Sequence, residues 1–283
     1  MYNLSDINTI KSILSKNGFS FSKALGQNFI IDSSVCPRMA EEAVESSDYG
    51  VLEVGPGIGV LTAELAKRAK KVVAIELDDR LLPILGDTLS EFENVKIVPG
   101  DVMKIDIKKL IEDEFSGMKV VICANLPYYI TSPVIMRLLE ENLPVEALIV
   151  MVQKEAADRL CADVGTRDAG ALTVAVNYYA ETEKLMFVGR ESFLPSPKLN
   201  TEVIRLKLRR DKNFDISDEA KFFNMVKTAF TKRRKTIMNS LLIGGVTKDA
   251  LGEALDSLNV SRTARIEELN MEQLISIYNS LFA

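Results

Sequence analysis

Asn125-Leu-Pro-Tyr-Tyr-Ile-Thr-Ser-Pro133 places a carboxamide and two phenol rings directly after an apolar run, residues 119–124. Pro127 has no N–H and fixes its own φ, and it steers Leu126 away from helical backbone. A strand entering this corner stops there, stiffly. Ser132 and Pro133 then predict a helix start, with serine as N-cap and proline at the first position. A carboxamide and an aromatic ring are therefore held rigid at a strand end.

Other strand ends carry polar groups too. Gly55, Gly57 and Gly59 lie between an apolar run and a helical pattern, where glycine lets backbone approach a ligand and turn tightly. Glu76 ends the next apolar run, 21 residues after Gly55. An acid there suits the two hydroxyls of an adenosine ribose. Asp101 follows the third run and suits an adenine amino group. Asn125 closes the fourth. A dinucleotide fingerprint needs its third glycine one residue later than Gly59. Glu53, just before the loop, would repel a phosphate but suits a sulfonium or an amino group. Together the four strand ends predict a site for S-adenosylmethionine (SAM).

The elements that must hold these residues follow from hydrophobic pattern. Strand-like runs near 51–54, 72–76, 95–98, 119–124 and 146–152 alternate with helical patterns near 59–68, 79–90, 106–114 and 133–142. Such alternation predicts an α/β, Rossmann-like, mostly parallel sheet with crossover helices. Residues 171–189 and 201–209 are expected to be the last of about seven strands. Helices are expected over 217–242, 247–257 and 270–281. The domains are thus expected at 1–210 and 211–283.

Composition narrows the chemistry. The 283 residues include no histidine, which excludes Ser-His and Cys-His nucleophiles and histidine-ligated metals. Cys36, Cys123 and Cys161 form no CxxC pair, so neither disulfides nor a metal site is expected. No membrane span or signal peptide is evident, and a cytoplasmic location is expected. The net charge is −5. Between Lys198 and Met238, however, twelve basic residues face five acidic ones, a local balance of +7.

The Asn-Leu-Pro-Tyr segment resembles the motif of methyltransferases acting on adenine or glutamine nitrogen. In that chemistry Asn125 and the Leu126 carbonyl each accept a proton of a conjugated amine, freeing its lone pair. Pro127 stiffens the corner, and Tyr128 stacks on the base and favours the developing cation. Nearly the whole chain resembles the ribosomal RNA adenine N6,N6-dimethyltransferases of the kasugamycin-sensitivity type. The likeness rests on "KALGQNFIID" (23–32), "LEVGPGIGVLT", "AIELD", "GDVMKID", "NLPYYITSPVI", "MVQKEAADRL", "FLPSPKLNTEVIRL" and "AFTKRRKTIMNSL".

The resemblance implies methylation of two adjacent adenosines in the 3′-terminal hairpin loop of small-subunit (16S) rRNA, on the immature 30S subunit, by a monomer. It implies a SAM site including Asn28, Ile30, Gly55, Gly57, Glu76, Asp101, Val102 and Asn125. Residues 125–128 would hold the adenine, with Phe193 as its second stacking partner. Lys232, Arg233, Arg234 and Lys235 are expected on one helical segment, anchoring the RNA. Alternatives are a macrolide-resistance-type 23S rRNA methyltransferase, a non-catalytic RNA-binding assembly factor of the same fold and, more distantly, a dehydrogenase.

Overall fold

The computed structural model describes residues 2–22, 26–211, 214–242 and 244–282. Residues 23–25 of the first motif and Lys212 of the basic stretch lie outside them. The chain divides into two compact units, Met1–Ala157 with Thr182–Leu208, and Asp158–Glu181 with Arg209–Ala283.

The first unit opens with α1 (Ile7–Lys16), β1 (Phe29–Ile30) and α2 (Val35–Ala43). Then strands and helices alternate: β2 (Tyr49–Val54), α3 (Val60–Ala66), β3 (Lys71–Glu76), α4 (Leu82–Thr88), β4 (Val95–Pro99), α5 (Ile107–Glu114), β5 (Lys119–Asn125), α6 (Thr131–Glu140), β6 (Ala147–Gln153) and α7 (Lys154–Leu160). After α8 (Ala171–Tyr179) come β7 (Ala180–Val188), β8 (Phe193–Leu194) and β9 (Thr201–Leu208).

The seven-stranded sheet runs β4-β3-β2-β5-β6-β9-β7. Strands β2 to β6 are mutually parallel, and β9 is antiparallel to β6. Every residue of β2 is buried, Glu53 among them, as in a strand covered on both faces. The chain steps from β2 outward through β3 and β4, then returns to β5 on the other side of β2. That reversal opens a crevice at the carboxyl ends of β2 and β5. Val54, Glu76, Pro99 and Asn125 all end their strands on this edge.

The second unit holds α8 and then α9 (Glu219–Thr231), α10 (Ile237–Ser240), α11 (Lys248–Ser257) and α12 (Met271–Phe282). Val174 of α8 shares a core with Phe222, Met225, Leu274 and Tyr278. Tyr178 stacks on Phe214 at 5.2 Å and meets Phe223 edge-on at 5.3 Å.

Four expectations need correction. Residues 171–179 form a helix, not a strand; their run is apolar on nearly every side, and a short buried run does not reveal its period. The helical unit accordingly takes in Asp158–Glu181, so a single boundary at 210 does not describe it. Helix α6 starts at Thr131, ahead of Ser132, and Pro133 sits in its first turn, where its missing N–H costs no intrahelical bond. Finally, the helix expected over 217–242 is broken. It stops at Thr231, and Lys235 N–H closes a turn onto the Lys232 carbonyl at 2.8 Å. Thr236 then precedes α10. The cations gather just past the C-terminus of α9, where the helix dipole favours them.

Candidate active site

A cavity of about 130 Å³ opens at the crevice. Its wall is built from five pieces of chain: residues 26–30, the β2–α3 loop with Glu53, the end of β3, the end of β4 with Asp101 and Val102, and residues 125–130.

The glycine loop needs its glycines for distinct reasons. Gly55 has φ +73° and open space where a Cβ would stand, so the backbone is bare toward a ligand. At Gly57, φ +60°, a Cβ would lie 3.2 Å from the Phe29 ring, so any other residue would strain the turn and press on the segment that closes over the loop.

Glu76 is 5% exposed. It accepts from the backbone N–H of Asp78 at 2.8 Å and of Gly57 at 3.3 Å. Burial raises its pKa, and those two N–H groups pull it down. A carboxylate has about four acceptor positions, so capacity remains for two hydroxyls. Asp101 is half-buried and caps its own turn through Met103 N–H at 2.9 Å.

Glu53 is 1% exposed, and its Oε2 has no hydrogen-bond partner among the described residues. Burial pushes its acid up to about 8; the neighbouring Thr62 hydroxyl opposes the shift and the charge of Glu76 adds to it. Among the described residues, the wall holds three acids, Glu53, Glu76 and Asp101, and no lysine or arginine.

The tyrosine corner is pinned at both ends. Leu126 N–H donates to the Met151 carbonyl at 3.2 Å, and the Pro127 carbonyl accepts from Ile130 N–H and the Thr131 hydroxyl, each at 3.1 Å. Asn125 Nδ2 donates to the Asn28 carbonyl at 3.4 Å, which leaves Oδ1 as the acceptor. Tyr128 is half-buried, and burial pushes its phenol up to about 12, so the ring stays neutral. Tyr129 is 55% exposed at the rim.

The chain matches the ribosomal RNA adenine dimethylase family over residues 18–282. The chain belongs to the ribosomal RNA adenine dimethylase family. Ribosomal RNA small subunit methyltransferase A of Geobacillus thermodenitrificans is 48% identical, over 96% of this chain and 94% of its own. The protein of that name from Clostridioides difficile is 45% identical, over 99% and 97%. Among solved structures, the 23S rRNA methyltransferase ErmE aligns with a TM-score of 0.70 at 29% identity, over 90% of this chain and all of its own. A dimethyladenosine transferase from Plasmodium falciparum has the same TM-score at 24% identity, over 86% and 94%, and shares the fold.

In this dimethylase, Asn28, Ile30, Gly55, Gly57, Glu76, Asp101, Val102 and residues 125–128 all line one cavity. Phe193 does not. It is 2% exposed and pairs with Ile30 across the β1–β8 ladder, so its ring faces the core. Its strand supports the cofactor side of the wall: Ile31 N–H donates to the Ser192 carbonyl at 2.8 Å, and the Ser192 hydroxyl to Asp32 at 3.1 Å.

Gln27 and Tyr129 also line the cavity and were not singled out from the sequence. Gln27 donates to Asp78 at 2.8 Å, which Arg80 also engages at 2.6 Å. No spacing in the sequence signals that bridge. Tyr129 had one signal, a second ring on the same non-helical corner.

In the helical unit, Lys232, Arg234 and Lys235 are exposed. Arg233 is half-buried, 3.5 Å from Glu267, and donates to the Arg167 carbonyl.

Proposed function

We propose that this family member uses SAM to dimethylate the N6 amino groups of two adjacent adenosines in the 3′-terminal hairpin loop of small-subunit rRNA. It would do so as a cytoplasmic monomer on the immature 30S subunit. The observation that carries the reading is that Asn125, Leu126, Pro127 and Tyr128 share one cavity with Gly55, Gly57, Glu76 and Asp101. The bare backbone at Gly55 and the partnerless oxygen of Glu53 fit a ligand bearing both an adenosine and a cationic centre.

When bound, SAM supplies an electrophilic methyl on a sulfonium. Glu76 holds the ribose hydroxyls and Asp101 the adenine amino group, while Asn28, Ile30 and Val102 close the wall. At the substrate side, Asn125 Oδ1 and the Leu126 carbonyl accept hydrogen bonds from the N–H groups of the target amine, which loses a proton to solvent only after methyl transfer. Those hydrogen bonds pyramidalise the nitrogen and aim its lone pair at the methyl. The Tyr128 face stacks on the base and favours the charge that develops on it. Pro127 keeps these groups in place before substrate arrives, so orientation is not lost at the reaction step. The amine needs no prior deprotonation, which accords with a chain lacking histidine. The cations of the helical unit, Lys232, Arg234 and Lys235 with Arg233 beside them, would contact phosphates and position the RNA without reading bases.

The test is mass spectrometry of rRNA nucleosides after incubation with SAM and 30S particles from an unmethylated strain. N6,N6-dimethyladenosine at two adjacent positions is expected. Methylation of a 23S transcript instead would favour the substrate named for ErmE. No methyl transfer despite SAM binding would favour a non-catalytic RNA-binding role.

A further inference from the structure

Glu53 lies in the wall of the proposed cofactor cavity, at 1% exposure, with Oε2 buried and partnerless among the described residues. Thr62 Oγ1 beside it is also buried without a hydrogen bond, so the one neighbouring hydroxyl offsets little of the cost of a carboxylate held in an apolar wall. The groups that face Glu53 carry no compensating charge. From β3 comes Glu76, also an acid; from β5, the Cys123 thiol; from α2, the Cys36 thiol; from α3, the Thr62 hydroxyl. Both thiols are held protonated by burial. No lysine or arginine lines the cavity among the described residues. An ionised Glu53 is therefore unsupported until a ligand brings a cation.

We propose that Glu53 is a charge-selecting residue of the cofactor site: its carboxyl is protonated in the empty cavity and ionises when a cationic sulfur or nitrogen is bound. This inference rests on the SAM reading above. The proton leaves to solvent, the carboxylate stays, and the new pair inside the cavity is neutral overall. Cofactor binding is thereby coupled to proton release. Affinity for the charged donor rises with pH, up to about tenfold per pH unit while the empty-site carboxyl is protonated, and levels off above its pKa. Burial, which pushes the Glu53 carboxyl up to about 8, puts that rise in the neutral range.

The experiment is calorimetric titration of the full chain at pH 6.5 in two buffers of different ionisation enthalpy, which counts protons exchanged on binding. At this pH the ligand's own α-amino group, with an ordinary pKa of about 7.7–8.0, remains protonated. The ligands are SAM, with sulfonium and ammonium; S-adenosylhomocysteine, with ammonium only; and 5′-methylthioadenosine, with neither. SAM is expected to release close to one proton, and methylthioadenosine none. Release with S-adenosylhomocysteine identifies the ammonium as partner, and its absence identifies the sulfonium; either supports the proposal. Glu53→Gln should bind SAM without proton release and with a flat pH dependence.

SAM binding to the parent without proton release would overturn the proposal, as would equal release by methylthioadenosine or undiminished release by Glu53→Gln. If the variant does not fold, the ligand series on the parent decides. Failure of SAM to bind at all is a different result, since it removes the cofactor reading itself.

Discussion

The cavity wall and the basic turn of the helical unit both concentrate functional residue types, but they hold them in opposite ways. In the wall, Glu76, Asp101 and Asn125 are buried or half-buried and tied to backbone. Glu76 takes two N–H groups, Asn125 leans on the Asn28 carbonyl, and the corner after it is pinned by Met151 and Thr131. At 232–235, three of four side chains point to solvent and only Arg233 is tied down. Chemistry on a nitrogen lone pair needs fixed angles, and burial supplies them. Attraction to a polyanion needs charge at a surface, and mobility there costs little. Substitutions in the wall should therefore change rate or cofactor affinity steeply. Those in the turn should change salt dependence gradually.

The sharpest break comes at Asn125. Asn125→Ala should lower single-turnover methylation by about 10²–10³-fold, the usual cost of deleting one positioned hydrogen-bonding group from a reaction centre. RNA affinity, measured by filter binding, should stay near the parent's. Equal losses in both would move Asn125 from chemistry to folding. Next, Glu76→Ala should weaken SAM binding by calorimetry at a cost of about 1.5–3 kcal/mol, as for loss of hydrogen bonds to a charged acceptor. Unchanged affinity would displace the ribose from that strand end.

Tyr128 separates ring face from hydroxyl. Tyr128→Ala should cost about 1–3 kcal/mol in kcat/KM, the range for a stacked base, whereas Tyr128→Phe should be mild. Equal damage by both would reject stacking. The smallest effects belong to the turn. Arg234→Ala should flatten the log K against log salt slope for hairpin RNA by about one unit without altering thermal stability. Arg233→Ala leaves Glu267, whose Oε2 is already buried without a partner among the described residues, with no guanidinium beside it. It should lower the melting temperature by a few degrees, since a half-exposed pair contributes about 1 kcal/mol or less. If the two variants behave alike, the distinction between a structural and an RNA-facing arginine fails.

Much of the wall was legible because its signals are local. A glycine run between a strand and a helix, an acid at the next strand end, and Asn-Leu-Pro-Tyr each declare themselves within a few residues. The parallel sheet follows from alternation and the crossover rule, so the four strand ends had to meet on one edge. The position of Phe193 was less legible. Its neighbourhood is distinctive in sequence, but whether its ring faces cavity or core depends on its register against Ile30, a residue far away in the chain. Gln27 was missed because its partner Asp78 is 51 residues distant and nothing in either segment anticipates the other.

The sequence by itself determined the strand–helix alternation, the glycine loop, the rigid carboxamide corner and the absence of imidazole chemistry, because each depends on backbone preferences or side-chain types that act over a few residues. Tertiary structure alone decided that residues 171–179 are helical and join the C-terminal unit, since a mostly apolar run takes its conformation from what it packs against, here Phe214, Phe222 and Phe223. It alone broke the helix at 232–235 and tied down one arginine of four. It also left the Glu53 carboxyl buried and partnerless beside Glu76. Pattern along a chain reports which residues prefer burial or a turn; which of them meet, and with what charge between them, is fixed only when distant segments close on one another.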